Sequence, residues 1–120
     1  MKKEPLVFIE HIVDSIEKIE MFMKGISKEN FQKNIQLQDA LVRRIEIIGE
    51  AVKNLPKTFK DGHLDIPWIK IAGMRDKLNH HYFGVDLEVV WKTVNEDIPL
   101  LKRYIKKILK KEKFDKKKIV

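Results

Sequence analysis

The sequence contains no cysteine among its 120 residues, which excludes disulfide bonds, thiol nucleophiles and thiolate metal sites. Glycine is scarce, with five copies, and no glycine-rich phosphate loop is present. No run of apolar residues approaches the length that a membrane-spanning helix needs. These absences predict a soluble protein of a reducing compartment, so we expect a cytoplasmic location and no membrane partner.

Positive charge is in excess, but it is concentrated at one end of the chain. The formal net charge is +7, and residues 102–118 contain ten Lys or Arg against Glu112 and Asp115. A basic segment of this kind can attract RNA or another polyanion. The alternative interpretation, which the composition leaves open, is a solvated helix face followed by a lysine-rich tail.

Apolar residues at three- and four-residue steps predict two long helices in the first half of the chain. The first covers about residues 5–24 and is ended by Gly25, since glycine readily adopts the left-handed conformation after a helix. The second covers about residues 35–55 and is stopped by Pro56. Gly49, inside the second helix, predicts a close approach of another helix rather than a break.

Two further helices are predicted in the second half. After a loop over residues 57–64, Asp65 is positioned to cap a third helix with Pro67 in its first turn. Asp86 is positioned to cap a fourth helix. Pro99 lies inside that helix and predicts a kink, because proline removes a backbone donor and clashes with the preceding turn.

The resulting fold prediction is an all-α antiparallel bundle of four main helices. A short helical turn capped by Ser27 and running through Phe31 joins the first two long helices. We expect residues 1–112 to form a single domain and residues 113–120 to form a basic C-terminal tail.

One segment concentrates side chains suited to phosphodiester chemistry. Arginine can hold a phosphate through a fork of donors, histidine can move a proton near neutral pH, and tyrosine carries a reactive hydroxyl. All three residue types occur within the eight residues Arg75-Asp76-Lys77-Leu78-Asn79-His80-His81-Tyr82.

Helical geometry restricts how these side chains can meet. On one straight helix Tyr82 would lie only about 20° around the axis from Arg75, and Asn79 would share that face. His80 would lie about 140° away from Arg75. His80 and Arg75 can therefore meet only if the helix unwinds, for which Gly84 offers a break, or if a symmetric dimer brings two copies of each residue to one cleft.

The reaction that suits such a cleft is metal-independent cleavage of RNA. His80 would act as general base on a ribose 2′-hydroxyl, and Arg75 would neutralise the charge that builds on the phosphate oxygens. The alternative is that Arg75 and His80 bind carbonyls or acids near a helix end and have no catalytic role.

Other candidate sites have weaker support. His11 and His63 lie far from His80 and His81 in sequence, and no His-x3-His or carboxylate-bearing signature indicates a metal site, so we predict no metal and no cofactor. Trp68 and Trp91 lie in apolar stripes and are expected in the core.

Two acidic residues of the second helix also fit no catalytic pattern. Glu46 and Glu50 lie four residues apart on one helix face. Solvation, or pairing with Arg43 or Lys53, is the interpretation we favour for them.

The segment also resembles a known family. Arg75-x4-His80-x-Tyr82 matches the R-x4-H-x-Y signature of the HepT-like proteins in the HEPN superfamily. Three further stretches are similar to that family: Ile47-Ile48-Gly49-Glu50-Ala51, Ala72-Gly73-Met74-Arg75-Asp76-Lys77-Leu78 and His81-Tyr82-Phe83-Gly84-Val85-Asp86. The resemblance covers nearly the whole chain, including its length and four-helix plan.

The resemblance implies a toxin of a two-component toxin–antitoxin module. Such a toxin is a metal-independent ribonuclease whose cleft lies at a homodimer interface, in a dimer or a higher oligomer. Arg75 and His80 would be its catalytic pair. The implied partner is a minimal nucleotidyltransferase antitoxin that transfers AMP to Tyr82, and a bulky anion there would block the cleft and occupy Arg75.

Two residues depart from the family pattern. Asp76 stands where asparagine is common, and an acid so close could pair with Arg75 and reduce its availability to phosphate. His81 creates a second possible spacing from Arg75, although the two-residue step to Tyr82 favours His80.

Two other functions remain open from the sequence. The protein could be a non-catalytic module that binds a nucleotide or RNA, or that serves as the regulatory partner subunit of a nucleotidyltransferase. It could also be a structural helical dimer in which the motif only contributes packing.

Overall fold

The structure of the protein, a computed structural model, describes residues 4–78 and 84–112 and is predominantly α-helical over these residues. In chain order the helices are α1 (Pro5–Met23), α2 (Lys28–Lys33), α3 (Ile35–Asn54), α4 (Lys57–Asp61), α5 (Trp68–Ala72), α6 (Met74–Leu78), α7 (Leu87–Lys92) and α8 (Ile98–Lys111). A π-helical segment, Thr93–Asp97, joins α7 to α8. The predicted all-α class is confirmed.

Local signals determine where several helices begin and end, and those at Ser27 and Gly25 were predicted. The Ser27 hydroxyl accepts a hydrogen bond from the Asn30 N–H at 3.1 Å and so caps α2. Asn34 caps α3 in the same way, accepting from the Leu37 N–H at 3.0 Å. Gly25 follows α1 with φ of 72°, a left-handed conformation that glycine adopts without steric cost.

The segment predicted as a loop over residues 57–64 contains helix α4, so that prediction was wrong. Phe59 is buried in the core, and a single helical turn is what carries its ring inward. Lys57 and Asp61, four residues apart, form a salt bridge at 3.2 Å across that turn. A helix of five residues is too short to produce a recognisable apolar period.

The third helix is also shorter than predicted and is divided in two. Pro67, rather than Asp65, occupies the cap position of α5, and no side chain caps that helix. Trp68 fixes its start instead, because the indole N–H donates to the carbonyls of Lys60 and His63 at 3.2 and 3.0 Å. The chain then turns at Gly73, whose carbonyl accepts the Asp76 N–H at 3.0 Å, and continues as α6.

The core lies where the apolar stripes of the long helices meet. Contact between α1 and α8 is antiparallel, because Glu20 near the end of α1 lies 2.7 Å from Lys102 near the start of α8. Val13, earlier in α1, lines the same groove as Leu109, later in α8. Fully buried side chains from three helices fill the centre: Ile9, Ile12 and Ile19 of α1, Leu41, Ile45 and Ile48 of α3, and Leu101 and Ile108 of α8.

A π-helical segment, Thr93–Asp97, lies just before Pro99, where the sequence predicted a kink. The Ile98 N–H donates to the Thr93 carbonyl, five residues earlier, in place of the usual four-residue step. Pro99 cannot donate a backbone hydrogen bond, and its ring would clash with the carbonyl four residues earlier in a regular α-helix. The wider π turn just before Pro99 makes room for the ring.

Two further predictions concern the C-terminal tail and the absence of a membrane-spanning helix. Helix α8 ends at Lys111, and residues 113–120 lie outside the described residues, so the boundary of a separate basic tail stays a prediction. Within residues 4–78 and 84–112, no helix is both long and apolar enough to cross a membrane.

Candidate functional site

Arg75 lies on the short helix α6, with its side chain 35% exposed. Its Nη1 donates to Oε1 of Glu50 at 2.9 Å, a charge-assisted hydrogen bond between α6 and α3. A guanidinium has five N–H donors, so this bond leaves most of them for another acceptor. Arg75 is therefore anchored at one nitrogen and still accessible to an anion.

Glu50 is a partner of Arg75 that sequence reasoning missed. Its expected partners were Arg43 or Lys53 on the same helix, whereas the structure pairs it with Arg75, 25 residues further along the chain. The available signal was the stretch around Gly49 and Glu50, which carried the family resemblance without a role for the acid.

Gly49 explains how α3 comes close enough for this pairing. A Cβ atom placed on Gly49 would lie 3.1 Å from the carbonyl oxygen of Ala72, at the end of α5. The predicted close helix–helix approach at Gly49 is confirmed. Because Glu50 follows Gly49 directly, and Ala72 and Gly73 lead into α6, the same approach brings Glu50 to Arg75.

Asp76 has a weaker relation to Arg75 than the sequence suggested. Its Oδ1 lies 3.8 Å from Nε of Arg75, and its side chain is 78% exposed. At that distance and exposure the contact is a screened ion pair rather than a hydrogen bond. Glu50, not Asp76, is thus the principal acidic partner of Arg75.

The remaining motif residues, Asn79, His80, His81 and Tyr82, lie outside the described residues. Their roles, and the predicted meeting of His80 with Arg75, stay predictions.

The residues on either side of positions 79–83 are joined by a hydrogen bond. The Asp86 N–H donates to the carbonyl of Leu78, the last residue of α6. Asp86 also caps α7, because its Oδ1 accepts the N–H groups of Glu88 at 3.1 Å and Val89 at 3.3 Å. Gly84 has φ of 129°, which is outside the helical region and confirms the predicted break there.

The two tryptophans and His63 pack against other side chains of the fold. Trp68 is buried, as expected for a core residue, and Trp91 is partly buried and packs on the Phe31 ring with centroids 5.3 Å apart. His63 is buried against Phe59, and its Nε2 lies 3.2 Å from Oε1 of Glu112. Within ranges 4–78 and 84–112, no group of three or more His, Asp or Glu side chains is arranged to hold a metal ion.

Comparison with known proteins gives a consistent assignment. A family model described as "Ribonuclease HepT-like" matches residues 12–108. "Putative RNase TTE0752" of Caldanaerobacter subterraneus subsp. tengcongensis is 51% identical over 111 residues, which are 92% of this chain and 99% of that protein. "Probable ribonuclease HepT" of Thermococcus cleftensis is 50% identical over 110 residues, 92% of this chain and all of that protein.

A third relative is longer than this chain. "Gamma-glutamylcyclotransferase and putative RNase MJ0434" of Methanocaldococcus jannaschii is 48% identical over 118 residues, 98% of this chain but 52% of that protein. No solved structure matches the chain. With a family match over most of its length and several relatives near half identity, the chain belongs to the ribonuclease HepT-like family of RNA-cleaving enzymes.

Proposed function

We propose that the protein is a metal-independent endoribonuclease that cleaves RNA by attack of a ribose 2′-hydroxyl on the adjacent phosphorus. Arg75 and His80 are its catalytic pair, and the cleft is completed at the interface of a homodimer. The proposal rests on family membership and on one observation, the placement of Arg75. That side chain is held by Glu50 through Nη1 at 2.9 Å while it stays partly exposed.

The proposed reaction needs one base, one acid and one cationic clamp. His80 takes the proton of the 2′-hydroxyl, and the oxygen attacks phosphorus to form a 2′,3′-cyclic phosphate. The bond from phosphorus to the 5′-oxygen breaks, and the leaving oxygen receives a proton from an imidazolium, for which a dimer supplies the second His80. DNA has no 2′-hydroxyl and cannot react in this way.

Arg75 stabilises the charge that develops on the non-bridging phosphate oxygens. The bond to Glu50 fixes the direction of the guanidinium in advance, so the side chain does not have to reorient as charge develops in the transition state. The donors that Glu50 does not use then face a phosphate that is brought to the exposed side of α6. Glu50 is accordingly a positioning residue in this proposal.

The test is RNA cleavage by purified protein in the presence of EDTA, compared with Arg75→Ala and His80→Ala. We expect cleavage by the wild type, and a loss of at least about a hundredfold in rate for each variant. Circular dichroism should show that both variants keep the helical fold. Intact RNA after incubation with folded wild-type protein would contradict the proposal.

We also propose that the protein is the toxin of a toxin–antitoxin module whose antitoxin is a minimal nucleotidyltransferase. In the modification step, the Tyr82 phenol oxygen attacks the α-phosphorus of ATP, pyrophosphate leaves, and the phenol proton is released. The AMP group on Tyr82 would place a bulky anion beside Arg75 and so exclude RNA. This part of the proposal rests on the family resemblance of the Arg75-x4-His80-x-Tyr82 motif.

Mass spectrometry after incubation with a minimal nucleotidyltransferase and ATP tests the modification. We expect the mass of one AMP group on the peptide that contains Tyr82, together with loss of RNA cleavage. Tyr82→Phe should remain unmodified and keep cleaving RNA after the same treatment. Modification elsewhere, or modification of Tyr82 without loss of cleavage, would contradict this role.

A further inference from the structure

Helix α8 carries a row of cations on the face opposite its core side chains. Residues 103, 106, 107 and 110 fall within about 100° of one another around the helix axis. All four are exposed, whereas Leu101, Ile105 and Ile108 on the other face are buried. We call this row the α8 cationic stripe, and its members are Arg103, Lys106, Lys107 and Lys110.

The stripe lies on a helix whose charged residues, over Ile98–Lys111, are all basic. Helix α8 contains six Lys or Arg and no Asp or Glu. Four lysines on other helices, in contrast, form salt bridges with carboxylates: Lys18 with Asp14, Lys28 with Glu88, Lys33 with Glu29, and Lys57 with Asp61. For the described part of the chain, salt bridges of α8 involve Lys102 alone, and the stripe forms none.

Two acids of α1 define one edge of the stripe. Glu17 and Glu20 of α1 line the groove between α1 and α8, on the side where Lys102 and Lys106 lie. Lys102 is neutralised there by Glu20 at 2.7 Å. An anionic ligand is therefore expected on the other side of the row, along Arg103, Lys107 and Lys110.

We propose that the α8 cationic stripe is a second RNA-binding surface, which holds the phosphate backbone of a long RNA outside the cleft that contains Arg75. Because the ligand is taken to be RNA, this inference rests on the proposed ribonuclease function. Lysine and arginine bind phosphates without reading bases, so the stripe adds affinity without sequence preference. From Arg103 to Lys110 the row spans about 10 Å, enough to contact successive phosphates of one strand.

The experiment compares two triple variants that carry the same change in net charge. Arg103→Gln/Lys107→Gln/Lys110→Gln removes the stripe and keeps good helix formers in α8. Lys28→Gln/Lys33→Gln/Lys57→Gln removes three lysines that are already paired, and it serves as the control. Affinity for a 2′-O-methylated 20-nucleotide RNA, which cannot be cleaved by 2′-oxygen attack, is measured by fluorescence anisotropy between 50 and 200 mM salt.

Counterion release fixes the expected size of the effect. Each lost phosphate contact with a single strand reduces the slope of log affinity against log salt by about 0.7, so the stripe variant should lose about 2 units of slope. Between 50 and 200 mM salt the wild type should then weaken about twentyfold more than the stripe variant. The control variant should keep the wild-type slope. Equal slopes for the two variants would overturn the proposal.

Cleavage assays separate this inference from the proposed function. The stripe variant should cleave a dinucleotide with wild-type kcat/KM, while its kcat/KM for the long RNA falls at least about tenfold at 50 mM salt. Equal losses on both substrates would mean that the stripe belongs to the catalytic cleft and would also overturn the proposal. If neither the wild type nor the variants cleave RNA, the proposed function fails. The salt dependence of the anisotropy measurements then still decides whether the stripe binds RNA.

Discussion

The contact between Arg75 and Glu50 is the residue-scale feature on which the proposed chemistry depends. Two acids lie near the guanidinium, but they differ in distance, since Glu50 is at 2.9 Å and Asp76 at 3.8 Å. The nearer acid comes from a different helix, so it constrains Arg75 relative to the fold. The more distant one is a sequence neighbour on the surface.

The variant Glu50→Gln tests whether Glu50 orients the Arg75 guanidinium rather than contributing to substrate binding. The amide keeps the size of the side chain but loses the charge that holds Arg75, and we expect kcat to fall about ten- to a hundredfold with little change in KM. Stability should change by less than about 1 kcal/mol, because the pair is partly exposed. Steady-state kinetics and thermal melting measure the two effects.

Asp76→Asn is the matched control for this prediction. Because Asp76 is well exposed and makes only a long contact, we expect activity within about twofold of the wild type. A larger loss for Asp76→Asn than for Glu50→Gln would mean that the acid next to Arg75 in sequence, rather than the one on α3, positions the guanidinium.

At the scale of elements, several helix caps and the close approach at Gly49 were predictable from the sequence, whereas bonds between distant side chains were not. Ser27 and Asp86 cap their helices through their own neighbours, and both caps were predicted correctly. The start of the third helix at Trp68 was not predicted, because it depends on the indole bonding to the carbonyls of Lys60 and His63. The Glu50–Arg75 bond joins residues 25 positions apart, and a helical pattern contains no information about such a pair.

Gly49→Ala should destabilise the protein even though alanine favours helix. The new Cβ would lie 3.1 Å from the Ala72 carbonyl oxygen, a backbone atom that can move only if α3 and α5 separate. We expect the overpacking cost, about 1–3 kcal/mol, to exceed the gain in helix propensity of about 1 kcal/mol. The melting temperature should fall by a few degrees, and an unchanged or higher value would contradict the close approach.

Asp86→Ala tests the cap that begins α7 beside the motif. Loss of the two hydrogen bonds to Oδ1 should cost about 1 kcal/mol of folding free energy. Asp86→Asn should recover most of that stability, because its side-chain oxygen can accept the same bonds. Chemical denaturation measures both, and equal stability of the alanine and asparagine variants would argue against the cap.

At the scale of the whole molecule, the proposal requires two chains. Arg75 lies on α6 before the stretch 79–83, and His80 was predicted to need either an unwound helix or a second subunit to reach it. A two-fold interface presents the same patch twice and would place two Arg75 and two His80 around one cleft.

Mixing two inactive variants tests whether the cleft is shared. Arg75→Ala and His80→Ala subunits, unfolded together and refolded, should form mixed dimers in about half of the population. Each mixed dimer retains one Arg75 and one His80, which can act as the base, but it lacks the second His80 that would protonate the leaving oxygen. We therefore expect the mixture to regain part of the wild-type activity, above that of either variant alone. An inactive mixture that size-exclusion chromatography shows to be dimeric would contradict a shared cleft.

The central claim is that the protein cleaves RNA through the ribose 2′-hydroxyl, and the cleavage products test it most directly. Purified protein should be incubated in EDTA with an oligoribonucleotide and with the same sequence made entirely of deoxyribonucleotides, and the fragments identified by mass spectrometry. We predict 2′,3′-cyclic phosphate ends from the RNA and an intact deoxyribonucleotide strand. Cleavage of the DNA strand, or RNA fragments that end in a free 3′-hydroxyl, would contradict the account.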